Sequence, residues 1–184
     1  TVCKVAVHAR VNAIAHAPIA CGCNNSSEHQ VAQFLRCLVD SSDFTLKLQH
    51  KDPCLLGVNG GALSFDMAVF KDGCPILVIE IDGGHHFDPN FKYGSGPKKN
   101  HTFEHDLRKE KFVLQQSISM ARIDQRAVQW NKADWQQWLK KIVETTSLES
   151  GYRIYRLSAH NSYSKGPYAA ARVGTPMQVE VPIH

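Results

Sequence analysis

Three acidic residues sit where acids are rarely found. Asp66 stands in the middle of an otherwise apolar stretch, Leu63-Ser64-Phe65-Asp66-Met67-Ala68-Val69-Phe70. Glu80 and Asp82 close the next one, Ile76-Leu77-Val78-Ile79-Glu80-Ile81-Asp82. Both stretches read as strands, and strands are depleted in acids. A buried, unpaired carboxylate costs several kcal/mol or gives up its charge. A lysine or arginine partner, or a place at the hairpin's end, would explain any one of these acids alone. Three on one hairpin point to a bound divalent cation, Mg2+ or Mn2+, which takes oxygen ligands.

Whether the acids converge depends on the turn, Lys71-Asp72-Gly73-Cys74-Pro75. Side chains alternate along a strand, so Glu80 and Asp82 share a face. A two- or four-residue loop centred on Asp72-Gly73 sets Asp66 opposite Ile79. A three-residue loop (72–74) or a five-residue loop (71–75) sets it opposite Glu80, with Cβ atoms about 4.5–5.5 Å apart. The longer loop also keeps Pro75, which has no N–H, out of the ladder. The odd register is therefore expected.

The elements that must position these residues follow from periodicity and turn chemistry. A short strand is expected at Lys4 to His8, and helix caps at Asn24 to Ser27. An amphipathic helix follows from Ser27 to Val39, ended by Asp40 to Asp43. Phe44 to Gln49 alternates as a short strand, and Gly57 to Gly61 is a loop. After the hairpin come a loop at Gly83 to Asn100, a charged helix at Phe103 to Gln116 and a strand at Ile118 to Asp124. A helix at Lys132 to Thr145 and a last strand at Gly151 to Ser158 complete the set. The order predicts an α/β (α+β) fold with a central mixed sheet flanked by helices. It forms a single domain over 1–158 with its core at 26–145, and the tail 159–184 either wraps the domain or is loosely ordered. Trp135 and Trp138, three apart on a helix, are read as core rather than as base-stacking platforms.

The bulk numbers agree with a globular domain: 184 residues, 43% hydrophobic and 21% charged. No apolar run reaches the roughly 18 residues of a membrane helix, so no membrane partner is expected. The start at Thr1 without a signal peptide reads as an excised or processed chain, and localisation cannot be read from it. Six cysteines without regular spacing read as reduced thiols, which favours an intracellular setting over a secreted one. Cys21 and Cys23 with His16 are a weaker zinc candidate, because structural sites use a wider spacing and a second ligand pair. The net charge of +4 is mild, but Lys92, Lys98, Lys99, Arg108, Lys109 and Lys111 cluster together, followed by Arg122 and Arg126. Such a cluster suits phosphates.

In order, these residues resemble a known pattern. A strand with Asp, a hairpin and Glu80-Ile81-Asp82-Gly83-Gly84-His85-His86 is similar to the restriction-endonuclease-like PD-(D/E)xK nuclease superfamily. The nearer likeness is to its E-x-D-G-x-x-H branch, related to very-short-patch repair endonucleases. There the motif precedes a D-x-x-K helix and a strand ending in Arg-Ile. Asp106-Leu107-Arg108-Lys109 and Arg122-Ile123 stand at those places, and Glu28 matches an acid near the start of the first helix. The likeness spans Ser26 to Asp124. Asp82 replaces the superfamily's usual lysine, and Phe65 stands where Pro is common.

The resemblance implies a Mg2+- or Mn2+-dependent endonuclease acting on nucleic acid, DNA before RNA. Asp66, Glu80 and the Ile81 carbonyl would hold the cation, and Asp82 would ligate a second ion or orient a water. His86 would serve as general acid or base, and His85 as a structural or exposed residue. Lys109 or Lys111 would take over the missing lysine's charge, and Glu28 would bond a metal water. Lys98, Lys99, Arg108, Lys111 and Arg122 would contact nucleic acid. The alternative is a nucleic-acid-binding module, for DNA or RNA, with this fold and weak or no catalysis. A third reading is a metallohydrolase for a small phosphorylated molecule.

Overall fold

A computed structural model describes residues 26–39, 43–88, 101–130, 134–148, 151–158 and 162–164, and the backbone of 178–181. The expected strand at Lys4 to His8, the Cys21, Cys23 and His16 group, and Lys92, Lys98 and Lys99 lie outside the described residues.

The first helix, α1 (Ser27–Val39), buries Val31, Ala32, Leu35 and Val39 on one side. Its start is fixed by Ser26, whose Oγ accepts the His29 N–H at 3.2 Å. Strand β1 (Phe44–Leu56) runs well past the expected Gln49, because β2 (Ala62–Lys71) pairs along its length. Pro53 falls in the irregular stretch between Lys51 and Leu56, where no pair with β2 forms, so its missing N–H costs no ladder bond.

The turn between β2 and β3 (Cys74–Asp82) is tighter than expected. Asp72 and Gly73 have φ of 51° and 78°, as in a two-residue hairpin turn. Lys71 then faces Cys74 and Phe70 faces Pro75, so Pro75 does enter the ladder. A bulge follows: Val69 faces Leu77, leaving Ile76 as the extra residue. From there Ala68 faces Val78 and Met67 faces Ile79. The odd register is thus reached, through a bulge rather than a longer loop. The bulge is also where a proline's missing N–H matters least.

Pairing between β2 and β3 stops at Met67 and Ile79. Asp66 and Glu80 would be the next pair, but there the Asp66 side chain takes the place of a backbone acceptor: its Oδ2 accepts the Ile81 N–H at 2.8 Å. On the other side, Gln49 has a φ of 49° between the pairs Leu48–Met67 and His50–Phe65. The alternation of β2 breaks at the same level, since Phe65 and Ala68 join one core cluster and Met67 the other.

Beyond β3 lie the single turn α2 (Gly84–Phe87), α3 (Thr102–Gln115), β4 (Ser119–Asp124), α4 (Gln125–Gln129), α5 (Trp135–Leu148), β5 (Ile154–Leu157), a 3-10 turn (Ser162–Ser164) and β6 (Gln178–Val181). The six strands line up as β1-β2-β3-β4-β5-β6, antiparallel from β1 to β3 and parallel from β3 to β6. This is the expected mixed sheet with helices on both faces. Residues Met67, Val69, Leu77, Ile79, Ile81, Ala121 and Ile123 pack under α1 and α5. Ala68, Phe70, Val78, Met120 and Ile154 pack under Phe112 and Val113 of α3.

The sequence reading missed α2, α4 and β6, and β5 is not the last strand. It also began α5 too early: Asp134 Oδ1 accepts the Gln137 N–H at 3.2 Å and caps a helix that starts at Trp135. Trp135 is 3% exposed with its ring edge-on to Phe34, and Trp138 packs against the same cluster, so both belong to the core. Cys54 and Cys74 are free thiols. No helix among the described residues is long and apolar enough to cross a membrane.

Candidate metal centre

Where β2 leaves β3, two carboxylates share one opening. Glu80 is buried at 3% exposure, and Lys109 Nζ from α3 donates to both its oxygens at 2.8 Å each. Burial pushes the Glu80 carboxyl up to about 8; Lys109 pulls it back, while Asp66 and Asp82 add to the rise. Burial also raises Asp66, against the Ile81 N–H and Lys109, which favour its charged form. Among the described residues no donor meets Asp66 Oδ1. Glu28, on the exposed side of α1, is raised first by burial and then by the charge of Asp66, which places it beside the same opening. Asp66, Glu80 and Glu28 thus form an acidic site with Lys109 on one side. Lys109 is the lysine the site uses; Lys111 is exposed on α3 and makes no contact with Glu80.

Asp82 has a different role from the one expected. Arg122 grips it with Nε on Oδ2 and Nη2 on Oδ1, both at 2.7 Å, and Tyr163 donates its hydroxyl to Oδ2 at 2.7 Å. Both residues of the Asp82–Arg122 pair are fully buried. These bonds tie Asp82 into a buried ion-pair network, a setting the sequence did not signal. Arg122 is out of reach of nucleic acid, because its guanidinium lies inside the sheet–α3 interface. It also contacts Asp106 at 3.1 Å and Glu110 at 3.2 Å. Arg156 Nη2 donates to both oxygens of Glu110 at 2.8 Å.

His86 belongs to this network. Its Nδ1 lies 2.7 Å from Asp106 Oδ2 and 3.4 Å from Asp82 Oδ1. Asp82, His86 and Asp106 are close enough to be considered as a metal cluster, yet Arg122 already occupies the charge-balancing position between the two acids. Three carboxylates (Asp82, Asp106 and Glu110) face two guanidiniums, so protonated His86 makes the group neutral. Burial works to lower the His86 pKa, but the Asp106 hydrogen bond and the charges of Asp82 and Asp106 win, and the net shift is upward. The general acid or base expected at this position thus sits in an ion-pair network that favours its protonated form. His85 is shifted the other way, by burial and then by His86.

A histidine whose folded pKa lies above its unfolded value adds stability that is fully present below about 6.5, and that is lost as pH rises through the folded value. Urea denaturation from mildly acidic to mildly alkaline pH is expected to show wild-type stability falling across that window. His86→Gln is expected to show a flatter profile and to be the less stable protein at the acid end.

Arg108 lies exposed on α3, its Nη1 3.5 Å from the Leu56 carbonyl. Sequence reasoning assigned no role to Asp106, Glu110, Arg156 or Tyr163, which complete the network. Arg156 carried a signal: a charge inside the apolar strand Ile154-Tyr155-Arg156-Leu157, of the kind that drew attention to Asp66. Asp106 and Glu110 are four apart on one helical side. Tyr163 gave no local sign, since only the chain's return over the sheet brings it to Asp82. A second cluster closes the end of β4, where Arg126 and the Ser158 and Ser162 hydroxyls hold Asp124.

No protein-family model, curated protein or solved structure matches the chain.

Proposed function

We propose that this chain is a metal-dependent nuclease that hydrolyses phosphodiester bonds of nucleic acid, DNA foremost, at the opening between β2 and β3. The observation that carries the reading is the Asp66–Glu80 pair with Lys109 Nζ against both Glu80 oxygens at 2.8 Å. Asp66 and Glu80 have oxygen donors suited to Mg2+ or Mn2+, and the Asp66–Ile81 bond steadies the segment that carries the Ile81 carbonyl. When bound there, such an ion supplies the Lewis acidity that activates water and steadies the leaving oxygen. Lys109 orients Glu80 and brings a positive charge to where charge develops on the phosphate. Glu28, whose carboxyl feels the charge of Asp66, would bond a water on the metal.

The alternative, a module that binds nucleic acid without cutting it, draws on the same contact, because Lys109 already neutralises Glu80 without a cation. Incubation with Mg2+ or Mn2+ on double-stranded DNA, single-stranded DNA and RNA separates the two. Cation-dependent, chelator-sensitive cleavage supports the nuclease; binding with no product under any cation supports the module.

Lys109→Met tests the role of the lysine. Cleavage is expected to fall on the order of a hundred- to a thousand-fold, the size of losing one preorganised electrostatic group. Melting temperatures recorded alongside separate lost chemistry from lost fold.

A further inference from the structure

Next to that opening the molecule presents cations that its ion pairs do not use. Lys109, Arg122, Arg126, Arg156 and Lys140 each meet a carboxylate. Lys47, Arg108 and Lys111 meet none among the described residues, and all three are exposed. Arg108 reaches the Leu56 carbonyl, so this side of α3 faces β1. Lys111, three residues on, shares that side. Lys47 Nζ lies 4.3 Å above the ring of Phe70, on the sheet face that α3 covers. At the upper end of this row the β1–β2 turn projects freely. Leu56 is 46% exposed, and a Cβ added at Gly60 or Gly61 would meet nothing within 4 Å. Below the tip the turn is anchored: the Gly57 N–H donates to the Gly61 carbonyl at 2.8 Å, and the Val58 N–H to His105 Nε2 at 3.4 Å.

Which form of nucleic acid suits this surface follows from the aromatic rings. Single strands are gripped by stacking bases on exposed rings. Among the described residues, Phe65, Phe70 and Phe112 of this face are buried, and the exposed rings of Trp130 and Tyr152 lie beyond α4 and before β5. Phosphate contacts alone suit a duplex, whose backbones present closely spaced charge.

We propose that Lys47, Lys111 and Arg108, with the Leu56–Gly61 turn, form a surface that binds the backbone of duplex nucleic acid alongside α3 and leads it to the Asp66–Glu80 opening. The proposal rests on the nuclease reading for its direction, but its test does not need cleavage. Fluorescence anisotropy with a labelled duplex DNA of about 20 base pairs and the matching single strand, in EDTA and across about 50–200 mM salt, reads binding alone. Wild-type protein is expected to bind the duplex more tightly than the single strand. The combined variant K47A/R108A/K111A is expected to bind the duplex at least tenfold more weakly at low salt, with the salt slope reduced by about 3, because three phosphates are no longer neutralised. K140A/K141A, on α5 across the sheet, is expected to leave both unchanged. Equal affinity for single strand and duplex, an unchanged slope in the triple variant, or equal weakening by the α5 variant would overturn the surface. Cleavage by wild type with intact duplex binding by the triple variant sinks the surface alone; duplex binding abolished in the triple variant with no cleavage by wild type under any cation sinks the nuclease alone.

Discussion

In Asp66→Ala, cation-dependent cleavage is expected to fall by about a thousand-fold or more, a loss of roughly 4 kcal/mol of transition-state stabilisation. The fold should survive the change. Removing Asp66 leaves the Ile81 N–H without its acceptor, a cost of about 1–3 kcal/mol. It also removes the repulsion that Asp66 exerts on Glu80 and Glu28, which offsets part of that cost. Asp66→Asn separates charge from geometry, because the amide oxygen still accepts the Ile81 N–H while the negative ligand is gone. Gel cleavage with Mn2+ and calorimetry on both variants check this: both should be inactive, and Asp66→Asn the more stable. Unchanged cleavage in either variant would remove Asp66 from the chemistry.

Arg122→Met is expected to destabilise the protein by about 3–5 kcal/mol, the penalty for breaking a buried ion pair from one side. Arg122 is 0% exposed and is the shared partner of Asp82, Asp106 and Glu110. Without it the three buried acids lose the one guanidinium that they share. Chemical denaturation measures the loss directly. The salt dependence of nucleic-acid binding, measured on whatever fraction stays folded, should keep its wild-type slope, because Arg122 cannot reach a phosphate. A stable variant with a reduced slope would instead return Arg122 to the surface role that its sequence context suggested.

The sequence showed the site more clearly than the network beneath it. Asp66 and Glu80 were legible because an acid inside an apolar strand is a local anomaly, and strand alternation limits where its side chain can go. The register was legible for the same reason, although the bulge at Ile76 was not: a two-residue turn followed by a bulge and a longer loop give the same pairing from the same residues. The partner of Asp82 was not legible. Arg122 lies 40 residues away in sequence and reads, beside Lys109 and Lys111, as one more surface cation. Only the parallel pairing that sets Glu80 opposite Arg122 and Arg122 opposite Arg156 shows that these arginines lie in the sheet. The length of β1 and the existence of β6 are likewise set by pairing with neighbours, which outweighs local preference in strands. Helix α4 is too short for periodicity to reveal, and begins where Asp124 accepts the Arg126 N–H.

Anomalous scattering from crystals soaked in Mn2+ tests the central claim most directly. An ion is expected between Asp66 and Glu80, roughly 2.0–2.3 Å from a carboxylate oxygen of each, with Lys109 Nζ drawn off one Glu80 oxygen. Manganese missing from that opening at saturating concentration, or bound instead among Asp82, His86 and Asp106 with Arg122 displaced, would contradict it.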